Sequence, residues 1–153
     1  MISKEYVMIF TEASIRKYLA AAGLGVPLVF FQQGDKSDTA GEDEIQILMS
    51  TSFPPRGTKN EIYAIVDLKA LVRTKLIQSD IYRHVRLKAR LVELLDKTIP
   101  LLKIGSDEKP EIYDKTQWGI LRKIPSETIK VTPTSVDVPD ASMVEVFYEV
   151  QLC

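Results

Sequence analysis

Residues 143–152, MVEVFYEVQL, alternate without a break. Val144, Val146, Tyr148, Val150 and Leu152 fall on one side, and Met143, Glu145, Phe147, Glu149 and Gln151 on the other. Successive side chains of a strand point to opposite faces, so this period of two predicts a strand with one face in a core. Its valines and aromatics suit a pleated surface. Such a strand constrains the rest of the chain. Neighbouring strands must take up its backbone N–H and C=O groups, and something must cover its apolar face.

Candidates for neighbours lie upstream. IQILMSTS sets Ile45, Ile47 and Met49 against Gln46, Leu48 and Ser50, until the prolines of FPPRGTKN break the ladder. EIYAIVDLKALVRT places Ile62, Ala64, Val66 and Leu68 on one face, and PLVFFQQ (27–33) is rich in Val and Phe. The polar tract GDKSDTAGEDE reads as a hairpin loop after it, so these three strands are expected to form an antiparallel meander. QWGILRKI and ETIKVTP supply two more strands, reached through a loop around IGSDEKPE.

The cover comes from two helical patterns. In TEASIRKYLAAAGL, Thr11 can cap the start, Gly23 and Gly25 can end the helix, and Ile15, Tyr18, Leu19 and Ala22 share a side. EYVMIF before it either extends the helix backward or forms a strand; helix is the reading carried forward. The second pattern, SDIYRHVRLKARLVELLDK (79–97), has Ser79 as N-cap, Asp80 at the positive end and Pro100 as its stop. The expected fold class is therefore α+β: a mainly antiparallel sheet packed by an N-terminal helix and one longer amphipathic helix, in a single domain over residues 1–153.

On a wheel at ~100° per residue, the second helix divides sharply. Arg83, Arg86, Arg90 and Lys97 form a narrow stripe with Glu93 beside it. Opposite lie Leu94, Leu87, Leu91, Leu95, Ile81, Val92 and Val85, an arc broader than the ~100° that contact on one side requires. His84 and Lys88 sit within that arc. A lysine there must either pair with an acid or reach water along its stem. The arginines read equally as a solvated face, and as DNA readers they lack interleaved Asn, Gln or aromatic residues. Any contact with nucleic acid would be non-specific.

Composition excludes several classes. The net charge of −1 gives no global field for DNA or an anionic membrane. Charge is unevenly spread, however: residues 69–97 hold eight Lys or Arg against three acids, and residues 131–153 hold four acids and no base. No apolar run reaches the ~18 residues of a membrane span. MISKEYVMIF lacks a signal peptide's cleavage pattern, and the one cysteine, Cys153, cannot form an internal disulfide; the chain reads as cytosolic or assembled there.

No catalytic, cofactor or metal motif stands out. There is no phosphate loop, no dinucleotide fingerprint and no nucleophile elbow. One His and one Cys cannot build a Cys/His zinc site, and the acidic run at 35–44 misses the calcium-loop spacing. His84 is the one candidate general base, for a small hydrolase or nuclease, and no partner for it can be read. Trp118 beside Gly119 reads as core rather than as a ligand pocket. A third reading is a binding adaptor that uses the basic helix 80–97.

The helix SIRKYLAAAGL, the strand VFFQQ, EIYAIVDLKALV, the helix DIYRHVRLKARLVELL and the closing MVEVFYEVQL come in an order that resembles the tail terminators and related head-to-tail completion proteins of long-tailed bacteriophages. The resemblance lies in pattern, over most of the chain, and carries no catalytic residue. It implies a non-enzymatic structural protein of the virion, assembled in the host cytoplasm. The family forms a homo-oligomeric ring, typically a hexamer, that caps the tail tube and meets the neck or connector, and it needs no cofactor. DNA passing through the lumen would be touched non-specifically at most. A head-to-tail ring needs two different complementary surfaces per subunit. The candidate interface residues are Arg83, His84, Arg86, Lys88 and Arg90 on one side and Glu145 and Glu149 on the other.

Overall fold

The computed structural model describes residues 4–31, 43–55, 63–74, 81–104, 113–133 and 141–152. In chain order the elements are α1 (Lys4–Ala21), β1 (Leu28–Phe31), β2 (Glu44–Ser52), β3 (Ile65–Arg73), α2 (Ile81–Leu95), β4 (Ile99–Ile104), β5 (Tyr113–Lys123), β6 (Lys130–Pro133) and β7 (Ala141–Leu152). The fold is α+β, as expected. One sheet runs in the order β1-β2-β3-β7-β5-β4, with β6 also on β7.

The alternating strand β7 is central. On one side it pairs antiparallel with β3, Val66 opposite Tyr148, Leu68 opposite Val146 and Ala70 opposite Val144. On its other side β5 pairs with Gly119 to Lys123 and β6 with Lys130 to Pro133, two halves of one interrupted strand. Ile45, Ile47, Val66, Leu68, Ala70, Val72, Val144, Val146, Tyr148 and Val150 are buried on one face. The helices cover that face with Val7, Phe10, Ile15 and Leu19 from α1 and Leu87, Leu91 and Leu95 from α2. Burial of this kind contributes roughly 25 cal/mol per Å² of apolar surface and is the main source of stability.

The first helix reaches both ends of the sheet. Ser14 Oγ accepts a hydrogen bond from the Leu102 N–H of β4 at 2.9 Å, and the Arg16 guanidinium lies 4.8 Å from the Phe30 ring of β1. A flat sheet could not bring its two edge strands to one helix, so the sheet curls around α1. The N-terminal run EYVMIF belongs to this helix. Its end is as expected: Gly23 and Gly25 adopt φ of +64° and +80°, a region side chains with a Cβ avoid.

Four expectations need correction. Thr11 is not a cap. The buried positions Val7, Phe10, Thr11, Ser14, Ile15 and Leu19 continue one helical stripe back to the first turn, leaving Thr11 buried in mid-helix with its Oγ1 unpartnered among the described residues. The first three strands are not a meander. β1 runs parallel to β2, Leu28 opposite Ile45 and Phe31 opposite Leu48, so the two strands do not form a hairpin. The second helix ends at Leu95, earlier than Pro100. Pro100 instead lies in β4, a strand not anticipated, and it is tolerated there because β4 is an edge strand. The caps proposed at Ser79 and Asp80 lie outside the described residues.

Candidate functional site: the two faces of the closing strand

The inward face of the sheet holds the histidine. His84 is 1% exposed on the side of α2 that meets the sheet. Its Nδ1 lies 2.7 Å from Thr74 Oγ1 at the end of β3, and its Nε2 lies 3.0 Å from Ser142 Oγ at the start of β7. A neutral imidazole offers one donor and one acceptor, and a hydroxyl serves as either, so both nitrogens are satisfied in either tautomer. The group ties α2 to two adjacent strands in a buried setting where an unpaired polar atom would cost about 1–3 kcal/mol. The expectation that His84 belongs to a subunit surface is thereby corrected: it lies inside the subunit.

A serine 3.0 Å from a histidine invites a hydrolase reading, but Ser142 is 5% exposed and Thr74 is fully buried, so the three residues form a closed core cluster. Trp118 and Gly119 are likewise structural. Trp118 meets the Phe10 ring edge-on at 4.7 Å. A Cβ at Gly119 would stand 2.3 Å from the Gln151 carbonyl oxygen, so glycine is what lets β5 approach β7 where the β4–β5 register shifts. Among the described residues no group of three or more His, Cys, Asp or Glu is placed to hold a metal ion. No helix among them is long and apolar enough to cross a membrane.

The outward face carries the carboxylates. Glu145 lies opposite Lys69 on β3, with Nζ and Oε2 3.8 Å apart, and opposite Lys130 on β6. Glu149 takes the Arg122 guanidinium at 3.3 Å and accepts a hydrogen bond from Tyr63 Oη at 3.2 Å. Both residues therefore meet cations of their own subunit. Asp67 sits beside Glu145, and its carboxyl is pushed up to about 6, first by burial and then by hydrogen bonding and charge from Glu145, with Lys69 opposing. At the sheet's other end Glu44 is fully buried with Arg73 at 3.7 Å.

The basic stripe of α2 lies on the opposite side of the subunit from these carboxylates, since α2 covers the inward face. Its arginines differ in what they do. Arg83 pairs with Asp43 at 3.3 Å, and Arg90 donates to the Ala22 carbonyl at 3.2 Å, so each braces α2 against a neighbouring segment. Arg86 is exposed and Lys88 half-buried. The broad apolar arc is only partly covered. Leu87, Leu91 and Leu95 are buried, whereas Val85 is 48% exposed; Tyr82, outside the arc, is 71% exposed. Sequence reasoning left out Thr74 and Ser142, because nothing local marks a hydroxyl that will meet an imidazole elsewhere in the chain.

A curled, mostly antiparallel sheet around two helices, with a closed polar cluster and two charged faces, defines an α+β fold. Its fold is shared. The chain superposes on a chain of a solved structure titled "Virion of native gene transfer agent (GTA) particle" with a TM-score of 0.56 and 14% identity, covering 98% of each. A second solved chain, whose name describes no activity, matches with a TM-score of 0.50 and 12% identity over 100% of this chain and 97% of its own. At these identities the likeness is one of fold. No protein-family model matches the chain, and no curated protein is similar to it in sequence.

Proposed function

We propose that this protein is a non-enzymatic structural subunit of a tailed-phage-like virion, acting as a ring at the tail end or head–tail junction. The observation that carries the reading is the likeness over 98% of both chains to a component of a gene transfer agent virion. The order of elements supports the finer role by resembling tail terminators and completion proteins. The chemistry agrees: the one histidine is spent on packing, and charged groups crowd two opposite outer faces. In such a ring the partners are further copies of the chain, then the tail tube and the neck or connector, with non-specific DNA contact in the lumen.

Native mass spectrometry and negative-stain images of the purified protein test this reading. A closed multimer is expected, and the protein should co-purify with virions of its source. A strict monomer that is also absent from such particles would overturn it. The hydrolase reading predicts an activity that is lost in His84→Ala while the fold stays intact. With His84 closed off from solvent, loss of stability is the expected result instead.

A further inference from the structure

The uncovered flank of α2 has a counterpart elsewhere on the same subunit. Tyr82, Val85 and Ala89, all exposed, follow i, i+3, i+7 spacing with half-buried Val92 next in line. The other flank of α2 faces α1, because Arg90 donates to the Ala22 carbonyl and the Leu94 carbonyl accepts from Tyr18 Oη at 2.7 Å. The Tyr82–Val85 flank therefore points away from α1. Two cations border it, Arg86 and Lys88, and neither forms an ion pair among the described residues. Tyrosine and arginine around an apolar centre are the residues that dominate binding at protein interfaces.

On α1 the same spacing carries the opposite charge. Glu5, Met8 and Glu12 share one flank at i, i+3, i+7; Glu5 is exposed, Glu12 half-buried and Met8 39% exposed. Neither glutamate forms an ion pair among the described residues. The α2 flank is apolar with Arg86 and Lys88 beside it and Glu93 at its far end; the α1 flank is apolar and acidic, its bordering cations Lys4 and Arg16 turned onto the Phe53 and Phe30 rings. The two flanks lie on different helices and face different ways, so one subunit cannot close them on each other.

We infer that the Tyr82–Val85–Ala89 flank of α2 docks the Glu5–Met8–Glu12 flank of α1 from a second copy of this chain. Met8 packs between Tyr82 and Val85, and Glu5 and Glu12 meet Arg86 and Lys88. The partner's carboxylates give Lys88 the acid that its half-buried position calls for. Because the two surfaces differ, the contact is head-to-tail and generates a ring or a filament. This rests on the ring reading above and moves its interface from Glu145 and Glu149, which pair within their own subunit, to the two helices.

Cysteine pairing tests it. With Cys153→Ser as background, Met8→Cys combined with Val85→Cys should give, on mild oxidation, a ladder of covalent multimers on a denaturing gel. Each single cysteine should give none. Arg86→Glu with Lys88→Glu should weaken self-association roughly tenfold or more through like-charge contact, and Glu5→Lys with Glu12→Lys added to the same chain should restore it. These positions are exposed or half-buried, and unchanged circular dichroism would confirm folding. A closed ring by native mass with no ladder would overturn this interface and leave the ring reading standing. Neither ring nor ladder would overturn this interface, and absence from virions of its source as well would overturn the ring reading.

Discussion

The two faces of β7 handle polar groups in opposite ways. Inward, Ser142 shares His84 with Thr74, and the polar atoms of this cluster are matched in a dry setting. Outward, Asp67 and Glu145 stand side by side, two acids competing for one proton, with Asp67 Oδ1 buried and unpartnered among the described residues. The difference shows which polar groups hold the fold. A buried hydroxyl–imidazole–hydroxyl chain joins three elements and tolerates no substitution that orphans a member. The outward carboxyls add charge to a surface that would fold more readily without one of them. The inner cluster joins α2 to the sheet, whereas the outward carboxylates meet cations at the surface of their own subunit.

The largest effect should come from breaking the inner chain. His84→Ala removes the imidazole, leaves the Thr74 and Ser142 hydroxyls unmatched and opens a cavity between α2 and the sheet. A loss of about 3 kcal/mol is expected. Urea unfolding monitored by circular dichroism would measure it. A loss below about 1 kcal/mol would mean that water or a shifted neighbour replaces the ring, and the contrast between the two faces would then fail.

The same contrast explains what could be read in advance. The strands β2, β3 and β7 were legible because alternation is local, set residue by residue along IQILMSTS, IYAIVDLKALV and MVEVFYEVQL. Pairing partners are not local. Nothing in LVFF states that it will lie parallel to β2 on the sheet's edge, and IPLLKI, apolar throughout and interrupted by Pro100, carries no period at all. The basic stripe of α2 was visible on a wheel, as was the excess breadth of its apolar arc. What occupies the middle of that arc was not, since His84 finds its partners 10 and 58 residues away. The carboxylates Glu145 and Glu149 were correctly placed on one outward face, but their cations come from β3 and β5, which only the pairing reveals.

A smaller effect, of opposite sign, is expected on the outer face. The Asp67 carboxyl titrates near 6 in the folded chain, above its ordinary value of 3.8. A raised carboxyl pKa stabilises the protonated fold, so this contribution is complete below pH ~3.8 and is lost as pH rises through about 6. Asp67→Asn keeps the shape, donates to Glu145 and never ionises. At pH 7.5 it should therefore raise stability by about 1 kcal/mol, less than the full shift implies because this face is open to water. It should also flatten the stability profile between pH 4 and 6. A variant less stable than the parent at pH 7.5 would show that the Asp67 charge is favourable, and the outer face would then resemble the inner one.

The smallest effect separates the two kinds of polar contact most finely. Arg122 is about half exposed where it meets Glu149, and Glu149 also accepts from Tyr63 and Gln151. Surface ion pairs of this type typically contribute less than 1 kcal/mol, because water screens the charges and two long side chains must be held still. Arg122→Ala should cost no more than about 0.5 kcal/mol, and that loss should shrink further in 1 M salt, where the screening length falls to about 3 Å. His84→Ala, by contrast, should lose the same stability at either salt concentration, since its bonds join neutral groups in a dry core. Thermal melts of both variants at low and high salt make the comparison directly. A salt-insensitive loss at Arg122 would place that pair with the core cluster, holding β5 to β7, rather than with the outer surface.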